Sequence, residues 1–309
     1  MRVLITGGAG FIGSHIAERF VKDGHEVRII DNLSSGHVEN LAGFRDGVTF
    51  TQGDIRNRRL LEELCEGCEL VYHEAAVVSV PYSVSYPQET HDVNIQGTLN
   101  VLEAARAQGV RRVVFAGSAA VYGEEPTLPK VETMAAEPIA PYGVEKITSE
   151  YYCRVFNQLY GLETVTLRYF NVFGPRQDPS SAYSGVISIF VDRALSGRGP
   201  VVFGDGEQSR DFVFVDNVVQ ANMLAGQKAE AAGRVYNVGL GKETTLNQLL
   251  AMLGRITGKE LVASYAEARA GDIRESVASI QRISTELGYD PRVPVEEGLR
   301  RLVDSLRNP

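Results

Sequence analysis

The chain has 309 residues, is 44% hydrophobic and 23% charged, and carries a formal net charge of −8. That length allows one large domain or two unequal ones with a substantial core, and that charge argues against a broad nucleic-acid or anionic-membrane surface. No apolar run approaches the roughly 20 residues of a membrane span, and the glycine-broken N-terminus is no signal peptide. The three cysteines, Cys65, Cys68 and Cys153, fit a reducing cytoplasm; Cys65-x-x-Cys68 lacks the second pair or the histidines of a zinc site, so no metal is expected.

In chain order, β-rich runs appear at 2–6, 26–31, 48–54, 70–75, 112–118 and 164–170, with helical patterns near 12–23, 57–66, 91–108 and 142–159. Alternating strand and helix implies a parallel sheet covered by helices on both faces. The strand runs alternate little, as expected for strands buried on both sides. After about residue 174 the rhythm changes. A Pro/Gly/Ser-rich segment (174–185) precedes a helix (186–196), a short strand (200–203) and a loop (204–212). A helix (215–228) and the strand VYNVG (235–239) resemble the first half again, and the tail from 244 reads as small helices around a strand near 261–265. This order suggests a nucleotide domain over 1–174, with 212–240 returning to it. A smaller domain over 175–309 is then assembled mainly from 175–211 and 241–309.

The first strand runs into Gly7, Gly10 and Gly13, spaced three apart, and leaves as a helix. Gly7 permits a tight turn, Gly10 lets a pyrophosphate approach the backbone, and Gly13 allows close helix–sheet packing. The helix N-terminus offers free N–H groups and a positive dipole end to phosphates. Asp31, at the tip of the second strand, suits a ribose diol and repels a 2′-phosphate, which favours NAD over NADP. Arg28 lies within that strand and is not placed to rescue such a phosphate. The G-x-x-G-x-x-G spacing resembles the extended short-chain dehydrogenase/reductase family, over essentially the whole chain. The resemblance implies a Rossmann α/β fold, a doubly wound parallel sheet with a smaller mixed α/β substrate-binding domain. It implies NAD contacts at Gly7, Gly10, Phe11, Ile12, Gly13, Asp31 and Asn32, and at Asp54 and Ile55 after the third strand. Further contacts are implied at Ala75 and Ala76 in the His73–Ala76 segment, at Asn94 and at Tyr169.

PYGVEK (141–146) puts Tyr142 and Lys146 on one face at the start of a helix. A free phenol titrates near 10 and is a poor base. A nearby ammonium and the positive nicotinamide ring are expected to lower it, so that Tyr142 takes a hydroxyl proton while hydride leaves the same carbon. Lys146 is also expected to hold the nicotinamide ribose, and Ser118, ending the fifth strand, to sit beside the reacting oxygen. Ser118, Tyr142 and Lys146 match the family's catalytic residues one by one.

Two positions choose among the family's reactions. The 4,6-dehydratases that resemble this chain carry acidic residues just before V-Y-G, because eliminating water needs an acid and a base there. This chain has Ala119 and Ala120. What remains is oxidation at C4, rotation of the ketose and hydride return, which is 4-epimerisation, and the resemblance implies UDP-hexoses as its substrates. The resemblance implies substrate contacts at Ser118, Asn171, Val186, Arg210, Arg269 and Ser276, with the arginines suited to a diphosphate. A small Ser276 leaves room for an N-acetyl group. Val78 departs from the lysine that many relatives carry near the cofactor phosphates. The resemblance also implies a homodimer through a four-helix bundle, using faces that include Leu99, Val101, Leu102, Ile147, Tyr151 and Val155. The competing readings are a UDP-glucuronate 4-epimerase or another C4-oxidising enzyme of this fold and, outside enzymes, an NAD-binding sensor.

Overall fold

The computed structural model describes residues 1–177, 185–268 and 274–307. Its first half alternates β1 (Arg2–Thr6), α1 (Phe11–Lys22), β2 (Glu26–Asp31), β3 (Val48–Gln52), α2 (Arg58–Cys65) and β4 (Leu70–His73). Two short helices follow, α3 (Val80–Ser85) and α4 (Pro87–His91), then α5 (Gly97–Ala107), β5 (Arg112–Ser118), α6 (Pro141–Tyr160) and β6 (Glu163–Tyr169). The later segments give β7 (Asn171–Phe173), α7 (Val186–Leu195), β8 (Val201–Phe203), β9 (Ser209–Arg210), β10 (Phe212–Phe214), α8 (Val215–Gln227) and β11 (Arg234–Val238). The tail supplies β12 (Thr244–Thr245), α9 (Leu246–Thr257), β13 (Ser264–Ala266), α10 (Gln281–Leu287) and α11 (Val295–Arg307).

Seven strands form one parallel sheet in the order β11-β6-β5-β4-β1-β2-β3. The order reverses between β1 and β4, and in such sheets ligands bind at the carboxyl ends beside that switch point. Pleating sorts the apolar side chains to opposite faces. Val3, Ile5, Tyr72 and Val114 pack towards α1 and α8, while Leu4, Val71, Val113 and Phe115 pack towards α2, α5 and α6. A separate core joins Ile187 and Phe190 of α7, Leu249 and Leu253 of α9, and Leu299 and Leu302 of α11 around Phe173, Phe212 and Phe214.

All six first-half strands form where the sequence placed them, and β11 adds the seventh. The helix expected at 91–108 instead starts at Pro87 and widens into a π-type turn over Asp92–Gln96 before α5. The strand expected near 261–265 lies at Ser264–Ala266, and all three of its residues are exposed, which explains its weak pattern. The sequence reading did not anticipate α3, the 3₁₀ segment Val38–Gly47, or the two- and three-residue strands β7, β9, β10 and β12. Of the residues assigned to a dimer face, Val101 and Leu102 are buried because they point at the sheet, and Ile147 is buried against Val121, Tyr122 and Phe170. Tyr151 and Val155 are exposed, and with Val144 and Leu159 they form a stripe along α6.

Candidate active site

The glycine turn follows β1 directly. Gly7 has φ +68°, and a Cβ there would stand 2.6 Å from the Ala75 backbone nitrogen, so two loops meet at van der Waals distance through a residue without a side chain. A Cβ on Gly13 would stand 2.3 Å from the Gly7 carbonyl oxygen. Gly10 caps α1 with no side-chain hydrogen bond, so the first N–H groups of the helix, those of Phe11, Ile12 and Gly13, are available to an anion. The Asp31 carboxylate accepts from Ala9 N at 3.0 Å and Leu33 N at 2.8 Å, which ties the tip of β2 to the turn. Burial raises the Asp31 carboxyl and these backbone donors pull it down. Each oxygen keeps a lone pair for a further donor.

Asn32 donates to Asp54 at 3.2 Å, and the Arg56 guanidinium holds the Asp54 carboxyl down at about 2. Ile55 is buried beneath them. Ala75 donates to the Thr6 hydroxyl at 3.3 Å, and Ala76 continues the loop. Asn94, inside the π-type turn, accepts from Val77 N at 2.8 Å and donates to Val77 O at 3.0 Å. Its amide also donates to Glu145 at 2.6 Å, and Glu145 accepts from Thr90 at 2.6 Å. These pieces fit an adenine dinucleotide: a side-chain-free turn at a helix N-terminus, followed by an acidic strand tip.

Helix α6 brings the catalytic candidates to the same end of the sheet. Pro141 occupies its first turn, and the Tyr142 N–H donates to Ser83 Oγ at 3.1 Å. Burial pushes the Tyr142 phenol up to about 12, while its hydrogen bond with Ser118 pulls it down. The expectation of a lowered phenol therefore does not hold for the protein groups alone. Lys146 lies 5.8 Å from the Tyr142 ring centroid, and its ammonium donates to Ala116 O at 2.8 Å. Burial takes that ammonium from 10.5 to about 8, against Glu74 and Glu145, which raise it. Ser118 Oγ also accepts from Ala120 N at 3.1 Å, opening a tight turn whose Ala119 and Ala120 offer no acid or base. The Tyr169 hydroxyl donates to Glu74 at 2.9 Å and accepts from Asn222 at 2.8 Å.

The substrate candidates sit on other segments. Asn171 opens β7 and is exposed, Val186 opens α7, and Arg210 ends β9, its guanidinium donating to Ser209 O at 2.8 Å. Ser276 is half-buried, two residues before Ala278, whose N–H donates to Asp211 at 3.1 Å. Asp211 also accepts from Leu240 and Gly241 and so joins this stretch to the loop after β11. Arg269 lies outside the described residues. The side chain of Val78 is exposed. The cysteines are free and buried, and burial pushes the Cys65 thiol up to about 12. Among the described residues no cluster of three or more His, Cys, Asp or Glu is arranged to hold a metal, and no helix is long and apolar enough to cross a membrane.

Sequence reasoning missed Glu74, Glu145, Glu150 and Arg168. Glu145 sits within the Tyr-x-x-x-Lys motif, and its inward position follows from its i,i+3 spacing to Tyr142. Glu150 and Arg168 pair at 2.7 and 2.9 Å under the site, and Arg168 also donates to Tyr122 at 2.9 Å.

Comparisons with known proteins place this geometry. A UDP-glucose 4-epimerase of Mycolicibacterium smegmatis is 40% identical over 312 residues, covering 100% of this chain and 99% of that one. The crystal structure of Thermotoga maritima UDP-glucose 4-epimerase with UDP-glucose superposes with a TM-score of 0.94 at 41% identity, over 99% of both chains. A UDP-N-acetylglucosamine 4-epimerase from Methanobrevibacter ruminantium, in complex with UDP-N-acetylmuramic acid, gives 0.95 at 39% identity, over 99% of this chain and 98% of that one. The model of the NAD dependent epimerase/dehydratase family matches residues 3–239, and with these relatives along its whole length the chain belongs to that family.

Proposed function

We propose that the protein is an NAD-dependent 4-epimerase of UDP-hexoses that interconverts UDP-glucose and UDP-galactose and also accepts the N-acetylated pair. The observation that carries this reading is the convergence of Ser118, Tyr142 and Lys146 above a turn that holds only alanines at 119 and 120. The bound dinucleotide supplies a hydride acceptor that is regenerated in each cycle. Tyr142 takes the C4 hydroxyl proton and returns it after the 4-keto ring turns over. Ser118 orients that oxygen, and Lys146 supplies positive charge beside the phenol. With no acid or base at 119 and 120, water is not eliminated.

Residues 1–174 and 212–240 hold the dinucleotide in this reading, and 175–211 with 241–309 hold the UDP-sugar. Arg210 and Arg269 take the diphosphate, Asn171 and Val186 line the site, and the small Ser276 admits the 2-acetamido group. The exposed α6 stripe supports a homodimer, which buries it against a second copy.

Incubation with UDP-glucose, UDP-N-acetylglucosamine and UDP-glucuronate in turn, with C4 epimers resolved chromatographically, tests the assignment. Epimers from the first two are expected. Turnover of UDP-glucuronate alone favours the uronate reading, and NAD binding without any turnover favours a sensor. Replacing Tyr142 with Phe is expected to stop turnover and leave NAD bound; surviving turnover refutes the assigned base.

A further inference from the structure

Glu74 is a charged group at the reaction end of the groove to which the proposed chemistry gives no part. It stands immediately after β4 and is half-buried. From β6, the Tyr169 hydroxyl donates to it at 2.9 Å, and Asn222 of α8 fixes that hydroxyl from the other side at 2.8 Å. From α6, Lys146 is the cation that acts on it. From β4, Tyr72 lies in its field, while the ring of His73 is taken up by Thr6 at 2.7 Å and Thr98 at 2.9 Å. Burial pushes the Glu74 carboxyl up to about 7, against Tyr169 and Lys146, and takes Lys146 down to about 8. Tyr72, Tyr142 and Tyr169 are all pushed up by burial, and His73 is pushed down to about 3. Of these facing groups, only Glu74 and Lys146 change charge between pH 6 and 8.5.

We infer that Glu74 is a positioning residue for the redox step: clamped by Tyr169, its carboxylate offsets the Lys146 charge and biases the groove towards the oxidised, positively charged dinucleotide over the reduced, neutral one. The inference rests on the NAD-dependent reading above. The hydride leaves the carbon whose hydroxyl proton goes to Tyr142, so the accepting ring shares the groove with Tyr142 and Lys146. Charges act strongly on one another where water is excluded. Without the Glu74 carboxylate only Glu145 still opposes Lys146, so a second positive charge in the groove is less favoured and a reduced ring is held back from returning its hydride. An opposing carboxylate restores the balance that a cycle of loss and return needs.

The test is the dissociation constants of NAD⁺ and NADH for cofactor-stripped full-length protein, wild type against Glu74→Gln, at pH 7.5 and 6. The variant is expected to lose on the order of tenfold in its preference for NAD⁺, the equivalent of one pKa unit of interaction. Wild type is expected to lose the same preference on moving to pH 6, where the Glu74 carboxylate takes up its proton; the variant, in which Lys146 is the one of this pair still titrating, is expected to start without that preference at pH 7.5. A structural role weakens both ligands equally; that result, or an unchanged ratio, overturns the inference. A wild type that binds neither dinucleotide overturns the cofactor reading itself. Tyr169→Phe provides a second arm should Glu74→Gln not fold. Removing the phenol that stabilises the carboxylate is expected to move the loss of NAD⁺ preference to higher pH, and an unmoved profile counts against the clamp.

Discussion

Replacing Lys146 with methionine is expected to abolish turnover and yet stabilise the fold at neutral pH. Lys146 is 4% exposed, and among the described residues its one hydrogen bond goes to the Ala116 carbonyl. Its ammonium falls from 10.5 to about 8 on burial. For a base, a folded-state value below the unfolded one means that the unfolded chain binds the proton more tightly, so the charge opposes folding at pH 7. A fall of that size corresponds to about 3 kcal/mol. Methionine matches the apolar stem and still packs on Phe115, whose ring centroid lies 5.0 Å from the ammonium. It leaves the Ala116 carbonyl without its donor, a loss of about 1 kcal/mol. Glu74, already near 7, takes up a proton rather than stand as an unbalanced charge. The net is a gain on the order of 2 kcal/mol at pH 7. The sign fixes the pH window. Between about 8 and 10.5 the unfolded chain sheds the proton that the folded chain has already lost, so wild-type stability rises with pH relative to the variant, and by pH 10.5 the gain is gone. Urea unfolding followed by circular dichroism at pH 7 and pH 10 measures both limbs. A methionine variant less stable than wild type at pH 7, or a difference independent of pH, refutes the reasoning.

Three further substitutions probe the frame around the site. Gly13→Ala places a Cβ 2.3 Å from the Gly7 carbonyl, where backbone must move. It is expected to weaken NAD binding at least tenfold and to cost about 1–3 kcal/mol of stability, read by dinucleotide titration and thermal melts. Asp31→Ala releases the N–H groups of Ala9 and Leu33 and removes the charge that opposes a 2′-phosphate; the ratio of NADP to NAD affinity is expected to rise, and a constant ratio counts against its role. Glu150→Ala strands the Arg168 guanidinium, 5% exposed, at a cost of about 3–5 kcal/mol, whereas Glu150→Leu with Arg168→Met is close to neutral. Equal losses for the single and double variants in urea unfolding count against a buried pair.

The sheet was legible because its strands are continuous apolar runs interrupted by turn residues, and the glycine turn because its three glycines answer to steric contacts of 2.3 to 3.1 Å. That Tyr142 and Lys146 lie on one face of α6 was legible from their i,i+4 spacing, and that Ser118 ends β5 from the strand pattern. The state of the phenol was not, because burial depends on Ser83, Ser118 and the packing of α3, none of which is written into the Tyr-x-x-x-Lys spacing. The π-type turn was missed for a related reason. Nothing in Asp92–Gln96 breaks a helical pattern, and the wider turn is held by tertiary bonds from Asn94 to Val77 and Glu145. The buried dimer-face residues were misread because apolar spacing on a helix does not say which of its apolar faces packs inside the chain.

Three of the groups missed by sequence reasoning, Glu145, Glu150 and Arg168, share one arrangement around α6. Glu145 ties its first turns, through Asn94, to the backbone of Val77 in the cofactor-side loop. One turn further on, Glu150 ties it through Arg168 to Tyr122, whose hydroxyl also donates to Asn237 at 2.6 Å. Tyr122 ends the turn that Ser118 begins, so the second tie holds the helix bearing Tyr142 and Lys146 against the loop bearing Ser118. A buried ion pair adds little net stability but is expensive to break on one side, which suits fixing a register better than strengthening a fold. Lys146 works in the opposite sense, since its buried ammonium opposes folding. The two facts belong together: a helix that carries an unfavourable buried charge keeps its position only if neighbouring turns are pinned by contacts that cannot be loosened one at a time. On that argument Glu150→Ala lowers turnover by moving α6 relative to Ser118 even where the protein stays folded, and its defect is greater in kcat than in KM for the UDP-sugar.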